Sequence, residues 1–316
     1  MTPLGRDYNI VTLLTDHDAV RNIKKSIMST PTNRTKAEEI RGKALPEQIT
    51  IGKGLDLPVL DISTQRKYLR YIKGLFKWVK SNMYLPSNPF EDIEIAAPKS
   101  KNKSRDEITK DEIKIVLNEL EKYRDKKPSQ YWGALIAIYT GARSGEVSAL
   151  LPSDIKKDEV TGIWYFDIVD EKEQGKGLKN ANANRIVPIH EDLIKRGLLD
   201  FVEVSKSYAV KKPKSGEFDT RLLYDFTHTD GNGWGRKLSQ FVNDKVLEDT
   251  GIKTKAKVLH SFRHSFISNL SRAGVIPEYI RSMVGHEQGT VTASTYTHYG
   301  VNHLERFKES IQMLEY

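Results

Sequence analysis

Residues 131–146 read YWGALIAIYTGARSGE. From Tyr131 to Tyr139 the stretch is apolar on every side of a helical projection, as befits a helix inside a core. Thr140-Gly141 supplies a stop, because glycine tolerates the left-handed conformation in which helices often end. Glu146 to Leu151 begins another helix. Arg143 is thereby placed at a helix N-terminus, where free backbone N–H groups and the dipole favour an anion. A guanidinium there can grip a phosphate with two parallel hydrogen bonds. Glu146, one turn on, is spaced to hold that arginine or a neighbouring histidine. An isolated Arg–Glu pair on a surface is worth little, so the rest of the chain has to decide between the two readings.

Downstream, His260-Ser261-Phe262-Arg263-His264 puts His260 and Arg263 three residues apart, on one side of a helix. Phe262, Phe266 and Ile267 supply its buried face. His260 and His264 have the spacing of a zinc pair, but no glutamate lies between them and an arginine does. An arginine opposes a cation, so no metal site is expected. Gly285-His286 and Tyr296-Thr297-His298 follow. A free phenol titrates near 10, so a tyrosine nucleophile needs cations and hydrogen bonds that favour the phenolate.

Upstream, Asp18 to Met28 and Thr35 to Leu45 read as helices separated by a breaker run. The clearest element there runs from about Ser63 to Met83. Leu69, Ile72, Leu75, Phe76, Val79 and Met83 recur at helical spacing, with Ser63 or Thr64 as cap. Arg66, Arg70, Lys73, Lys77 and Lys80 line a second face of the same helix. Like charges so close repel unless neutralised, and a DNA backbone would neutralise them with release of counterions. The bland alternative is a solvated surface face. Pro86, Pro89 and Pro98 then break regular structure, and Lys99, Lys101, Lys103 and Arg105 give the following linker a basic lining.

A fresh helix start comes at Thr109-Lys110-Asp111-Glu112, a capping-box pattern ahead of Ile113, Ile115, Val116, Leu117 and Leu120. The domain boundary is therefore expected near residue 105, dividing 1–104 from 105–316. Trp164 to Val169 and Arg185 to Ile189 read as strands, with Pro188 at an edge or strand end. Glu171 to Asn184 would be the hairpin loop between them. Lys206 to Gly235 reads as a variable polar stretch, and helices are expected from there on. The fold class is mainly α with a small antiparallel β-sheet.

The 316 residues suffice for two domains. The net charge of +8 suits a polyanionic partner. With no cysteine, disulfides, thiolate catalysis and cysteine zinc sites are excluded. The opening residues lack a basic region followed by an apolar one, so no signal peptide is expected. No apolar run reaches the roughly 20 residues of a membrane span. A cytoplasmic protein is the default expectation.

Taken together and in order, Thr140-Gly141 with Arg143-Ser144-Gly145-Glu146, His260-Ser261-Phe262-Arg263, Gly285-His286 and Tyr296-Thr297-His298 resemble the signatures of the tyrosine recombinase (phage integrase) family. Leu150 and Asp154-Ile155 match the family's run after the first arginine. The family also has a lysine in a loop ahead of an Arg-x-Val-Pro strand. Arg185-Ile186-Val187-Pro188 matches the strand, and Lys179 falls at the matching register, with Lys176 as the alternative. Tyr299 is the alternative to Tyr296. The chain departs from the pattern at Glu287-Gln288-Gly289-Thr290 and at Asn180, where a threonine often follows the lysine. The resemblance covers about residues 106 to 300. What precedes resembles the family's helical core-binding domain in layout only, and no separate arm-type DNA-binding domain is expected there.

The resemblance implies a site-specific recombinase with a C-terminal catalytic domain, acting on double-stranded DNA without metal or ATP. Tyr296 would attack a phosphate to give a 3′-phosphotyrosine. Arg143 and Arg263 would hold the non-bridging oxygens, and His260 and His286 would hydrogen-bond the phosphate or manage the tyrosine proton. Lys179 would protonate the leaving 5′-oxygen, and Glu146 would support from behind. It also implies a homotetramer on DNA, a monomer or weak oligomer off it, and room for accessory DNA-bending or directionality proteins. Leu304, Phe307, Ile311 and Leu314 form an apolar stripe with two readings, core docked in cis or a contact docked in trans on a neighbouring protomer, of which trans docking in that assembly is favoured. A strand-swivelling type IB topoisomerase and a non-catalytic DNA-binding protein are the competing readings.

Overall fold

From Ser129 to Thr140 every side chain is buried, because this uncharged stretch has no face that gains from water. In the computed structural model it forms α3 (Pro128–Thr140), the axis of the larger of two compact units, Lys103–Tyr316; the other is Met1–Asn102. The structure describes residues 62–96, 106–169, 184–208, 210–211, 218–219, 221–229, 233–285 and 303–316, with Lys43, Ala44, Glu47 and Leu60 besides.

In the smaller unit, α1 (Ile62–Ser81) is the expected basic helix. Phe76 is its buried anchor and packs on Phe90, ring centroids 4.7 Å apart. The helix stops before Met83, which has a left-handed φ of 59° and lies in solvent, so Met83 is not part of the apolar face read from the spacing. Asp18 to Met28 lies outside the described residues, as does most of Thr35 to Leu45.

The larger unit opens with α2 (Lys110–Glu121), capped as its sequence pattern predicts. Thr109 Oγ1 accepts from the Glu112 N–H at 3.3 Å, and the Glu112 carboxylate accepts from the Thr109 N–H at 2.9 Å. Ile113, Val116, Leu117 and Leu120 point into the core, while Ile115, expected with them, is half exposed. After α3 comes the short α4 (Ser144–Ala149). A three-stranded antiparallel sheet follows, ordered β1 (Ile155–Lys157), β2 (Trp164–Ile168), β3 (Arg185–Pro188). Its register pairs Ile155 with Phe166, and Phe166 with Val187. Pro188 ends β3 on the sheet's edge opposite Tyr165, where a missing N–H costs least. The three-residue β1 is too short to carry a pattern and was not anticipated as a strand.

Next come α5 (Glu191–Lys195), α6 (Leu198–Lys206) and a small hairpin, β4 (Val210–Lys211) with β5 (Phe218–Asp219). The stretch read as polar and variable then contributes core: Leu222, Leu223 and Phe226 are fully buried. Arg221 is buried with them, its guanidinium 4.5 Å from the Trp234 ring centroid and bonded to Ala149 O at 2.6 Å. α7 (Arg236–Phe241) runs through a π-helical turn, Val242–Val246, into Leu247–Asp249. α8 (Ser261–Arg272) packs on α3, and α9 (Pro277–Val284) packs on α8 and β3.

The last helix, α10 (Leu304–Gln312), lies on β3 of its own domain. Leu304, Phe307, Ile311 and Leu314 are all buried there, and the Tyr316 ring meets that of Tyr139 at 5.3 Å. In the single chain the stripe expected to dock on a neighbour is thus satisfied in cis. No helix among the described residues is long and apolar enough to cross a membrane.

Candidate active site

Arg143 follows directly on the break between α3 and α4. Gly141 closes α3 with φ of 61°, its N–H bonded to Ala137 O. A side chain there would be strained and would press on the Phe266 ring, 2.9 Å from an added Cβ. The chain therefore turns at Gly141, and Arg143 becomes the N-cap of α4 with extended backbone.

Glu146 organises this corner. Its Oε2 accepts from the Arg143 N–H at 2.8 Å, and its Oε1 accepts from Arg143 Nη1 at 2.7 Å. The same Oε2 takes a 2.6 Å hydrogen bond from Arg185 Nη2, at the start of β3. Burial works to raise the Glu146 carboxyl, but the charge and hydrogen bond of Arg185, and then Arg143, outweigh it and hold it at about 2. Glu146 is thus an anion at any working pH, with both oxygens used.

Arg263 enters from α8, and its side chain is buried. Nη1 donates to Gly141 O at 2.8 Å and Nη2 donates to Val284 O. Among the described residues it has no carboxylate partner. Burial, then the charges of Arg143 and Arg185, push its guanidinium down to about 9. Among the described residues the site therefore collects three guanidiniums, Arg143, Arg185 and Arg263, against the single carboxylate of Glu146. Counted over these groups alone, guanidiniums outnumber carboxylates by two. Of the three, Arg143 reaches solvent most, with a third of its side chain exposed, against 4% for Arg185.

His260 caps α8 one turn before Arg263 and is exposed; its ring stands edge-on to that of His264 at 5.3 Å. Its turn is fixed from two sides. Asn243 Oδ1, in the π-helical turn, accepts from the Leu259 N–H at 2.6 Å, and Ser261 Oγ accepts from the Val258 N–H at 3.1 Å. Beside Ser144 and Gly145 lies an open groove of about 510 Å³ walled by Arg236, Ser239, Gln240 and Asn243.

The structure brings Arg143, Glu146 and Arg263 together and adds Arg185. Sequence reasoning used Arg185 only to mark a strand. The available signal was a lone charge opening a strand whose four residues are all buried. Lys179, His286 and Tyr296, with the alternatives Lys176 and Tyr299, lie outside the described residues, as do Lys99, Lys101 and Lys103.

On α1, in the other unit, Arg66, Arg70 and Lys77 are exposed. Lys73 and Lys80 instead turn to Glu91: Lys73 Nζ donates to its carbonyl at 2.8 Å and Lys80 Nζ meets its carboxylate at 3.1 Å. The five-residue stripe is therefore split, because Glu91 follows in the loop after the helix and neutralises part of it.

Residues 106–303, well over half of the chain, match the model of the phage integrase family. A XerC-like tyrosine recombinase of Caldanaerobacter subterraneus subsp. tengcongensis is 28% identical over 246 residues, 72% of this chain. The match spans 60% of that relative's length. Tyrosine recombinase XerD of Staphylococcus aureus is 25% identical over 240 residues, 73% of this chain and 70% of the relative. Among solved structures, the XerH site-specific recombinase bound to difH substrate superposes with a TM-score of 0.52 at 20% identity, covering 79% of this chain and 65% of that one. The Tn1549 transposon integrase in complex with circular intermediate DNA also gives 0.52, at 18% identity, over 96% of this chain and 94% of that one. At these identities the structural likenesses speak for the fold.

Proposed function

The chain belongs to the phage integrase family, and from that premise we propose that it is a site-specific DNA recombinase that cuts and rejoins double-stranded DNA through a 3′-phosphotyrosine. The observation that carries the reading is the charge of the corner built on Glu146. Two guanidiniums share one carboxylate and a third lies beside them without one, and such a partly buried excess of positive charge suits a phosphodiester and the added charge of its pentavalent transition state. XerH and the Tn1549 integrase, similar to this chain in fold, were captured on DNA.

In the proposed reaction the Tyr296 phenol oxygen forms a bond to phosphorus as the bond from phosphorus to the 5′-oxygen breaks. Arg143 and Arg263 hold the non-bridging oxygens and offset the charge that builds on them. His260 and His286 hydrogen-bond the phosphate and take up the phenol proton. Lys179 delivers a proton to the leaving 5′-oxygen. The phosphodiester energy is kept in the tyrosyl ester, so rejoining needs no ATP and the step needs no metal. A 5′-hydroxyl from a partner strand reverses the step and completes exchange. Two duplexes and four strand cuts call for four protomers on DNA, and accessory DNA-bending or directionality proteins fit such an assembly.

The unit that precedes residue 105 is assigned to DNA backbone contact through Arg66, Arg70 and Lys77, with Lys73, Lys80, Lys99, Lys101 and Lys103 assisting. The test is covalent trapping on nicked duplexes enriched for binding from a random-sequence pool. The chain should form an adduct that survives detergent and EDTA. Tyr296→Phe should abolish it and leave binding nearly intact. An adduct that persists in Tyr296→Phe would overturn the assignment of the nucleophile. An adduct lost in EDTA would overturn the metal-free chemistry.

A further inference from the structure

Arg185 joins three segments that are far apart in sequence. Its Nη2 donates to Glu146 Oε2 at 2.6 Å, across 39 residues. Its Nε donates to Met283 O at 2.8 Å, across 98 residues. Met283 belongs to the last turn of α9, whose end carbonyls have no intrahelical partner. Arg263 takes the next of them, Val284 O. Two guanidiniums therefore hold the end of the helix that leads into Gly285-His286. The fit is close. Gly285 turns with φ of 68°, and a Cβ added there would lie 3.1 Å from Arg185 Nη1 and 3.2 Å from its Cδ.

Fold stability alone does not call for this arrangement. Burying a guanidinium and a carboxylate is costly, and apolar residues of similar volume serve stability as well or better. What the planar fork of an arginine supplies, and an apolar residue does not, is fixed direction toward two acceptors at once. One acceptor, Glu146, holds the backbone and guanidinium of Arg143. The other is the helix end from which the chain continues to His286. Resting on the recombinase reading above, we propose that Arg185 is a positioning residue for strand cleavage: it sets Arg143 through Glu146 and sets the entry to Gly285-His286 through Met283. Arg185 touches no substrate in this role.

The experiment is single-turnover adduct formation on the same pool-selected nicked duplexes, with duplex affinity measured separately. Arg185→Lys keeps a cation in the cavity but loses the fork. It should bind duplex within about threefold of the unsubstituted chain and form adduct roughly 10- to 100-fold more slowly, the scale of a small misplacement of reacting groups. Because a lone buried charge can unfold a domain, a cycle of Arg185→Met, Glu146→Gln and the double variant accompanies it. The double variant removes both charges at nearly constant volume. It should cleave more slowly than Glu146→Gln alone only by the share that acts through Met283, and so by clearly less than the product of the two single defects, since Arg185 acts on Arg143 through Glu146. Multiplied defects in the double variant, or cleavage by Arg185→Lys at the unsubstituted rate, overturn the proposal. Those results leave the recombinase reading standing. Absence of any adduct from the unsubstituted chain overturns that reading and this inference with it.

Discussion

Glu146 Oε2 accepts a 2.6 Å hydrogen bond from Arg185 Nη2, and the same oxygen accepts from the backbone N–H of Arg143 at 2.8 Å. One carboxylate oxygen thus fixes both the strand that follows the family's lysine loop and the arginine assigned to the phosphate.

That relationship makes stability depend on pH in a definite direction. The Glu146 carboxyl sits at about 2 against an ordinary 4.5. A depressed carboxyl stabilises the fold fully above its unfolded value, and loses that contribution as pH falls from about 4.5 toward 2. The shift corresponds to about 3 kcal/mol as an upper bound. Urea unfolding at pH 7 should show Glu146→Gln less stable than the parent by up to that amount, and the gap should close as pH approaches 2.5. A gap that stays constant with pH would refute the linkage.

Arg143→Ala separates grip from folding. A third of the Arg143 side chain is in solvent, and Arg185 remains to balance Glu146. Its melting temperature should therefore move by only a few degrees. Adduct formation should drop by about 10²- to 10³-fold, the usual loss when one donor to a developing oxyanion is removed.

Gly141→Ala tests the turn that delivers Arg143. The φ of 61° and the Phe266 ring 2.9 Å from the new Cβ both resist it. A loss of about 1–3 kcal/mol is expected in chemical denaturation. A neutral or stabilising outcome would mean that the α3–α4 corner relaxes without cost.

The tail helix should behave as core in the free chain. Phe307 is buried edge-to-face with Tyr279, centroids 5.3 Å apart. Phe307→Ala should cost about 3–5 kcal/mol. Truncation after Asn302 should expose the apolar face over β3 and raise binding of a hydrophobic dye. An unchanged melting temperature for either variant would place the stripe elsewhere in solution.

The split of the basic stripe predicts unequal salt effects. Arg66→Ala, Arg70→Ala and Lys77→Ala should each lower the slope of log affinity against log salt by about 1, measured by anisotropy between about 50 and 200 mM salt. Lys80→Ala should lower it less, since the Glu91 carboxylate already neutralises part of its charge, and Lys73→Ala less as well, since its ammonium is tied to the Glu91 carbonyl.

Much of this was legible in the chain because its signals are local. The capping box at Thr109–Glu112, the all-apolar α3, the glycine stop at 141 and the basic face of α1 each need only a few neighbouring residues to be read. The order Arg143, His260, Arg263, His286, Tyr296 was legible for another reason: it resembles a known family. What misled the reading was likewise local in form. Lys206 to Gly235 looks polar on average, yet Leu222, Leu223 and Phe226 within it are fully buried. Met83 keeps the helical spacing, yet the helix has ended at Ser81.

By itself, then, the sequence determined the helical class, the capped start at Thr109 and the glycine stop at 141, and the inventory of cations available to a phosphate, because propensity, capping and charge are set within a turn or two of chain. Only the tertiary structure decided which of those cations share Glu146, that Arg263 spends two donors on the carbonyls of Gly141 and Val284, and that the final apolar stripe closes on its own β3. Each of these joins residues far apart along the chain. Such pairings leave no periodic trace, and they are settled by which buried donors and acceptors can satisfy one another once the core has closed.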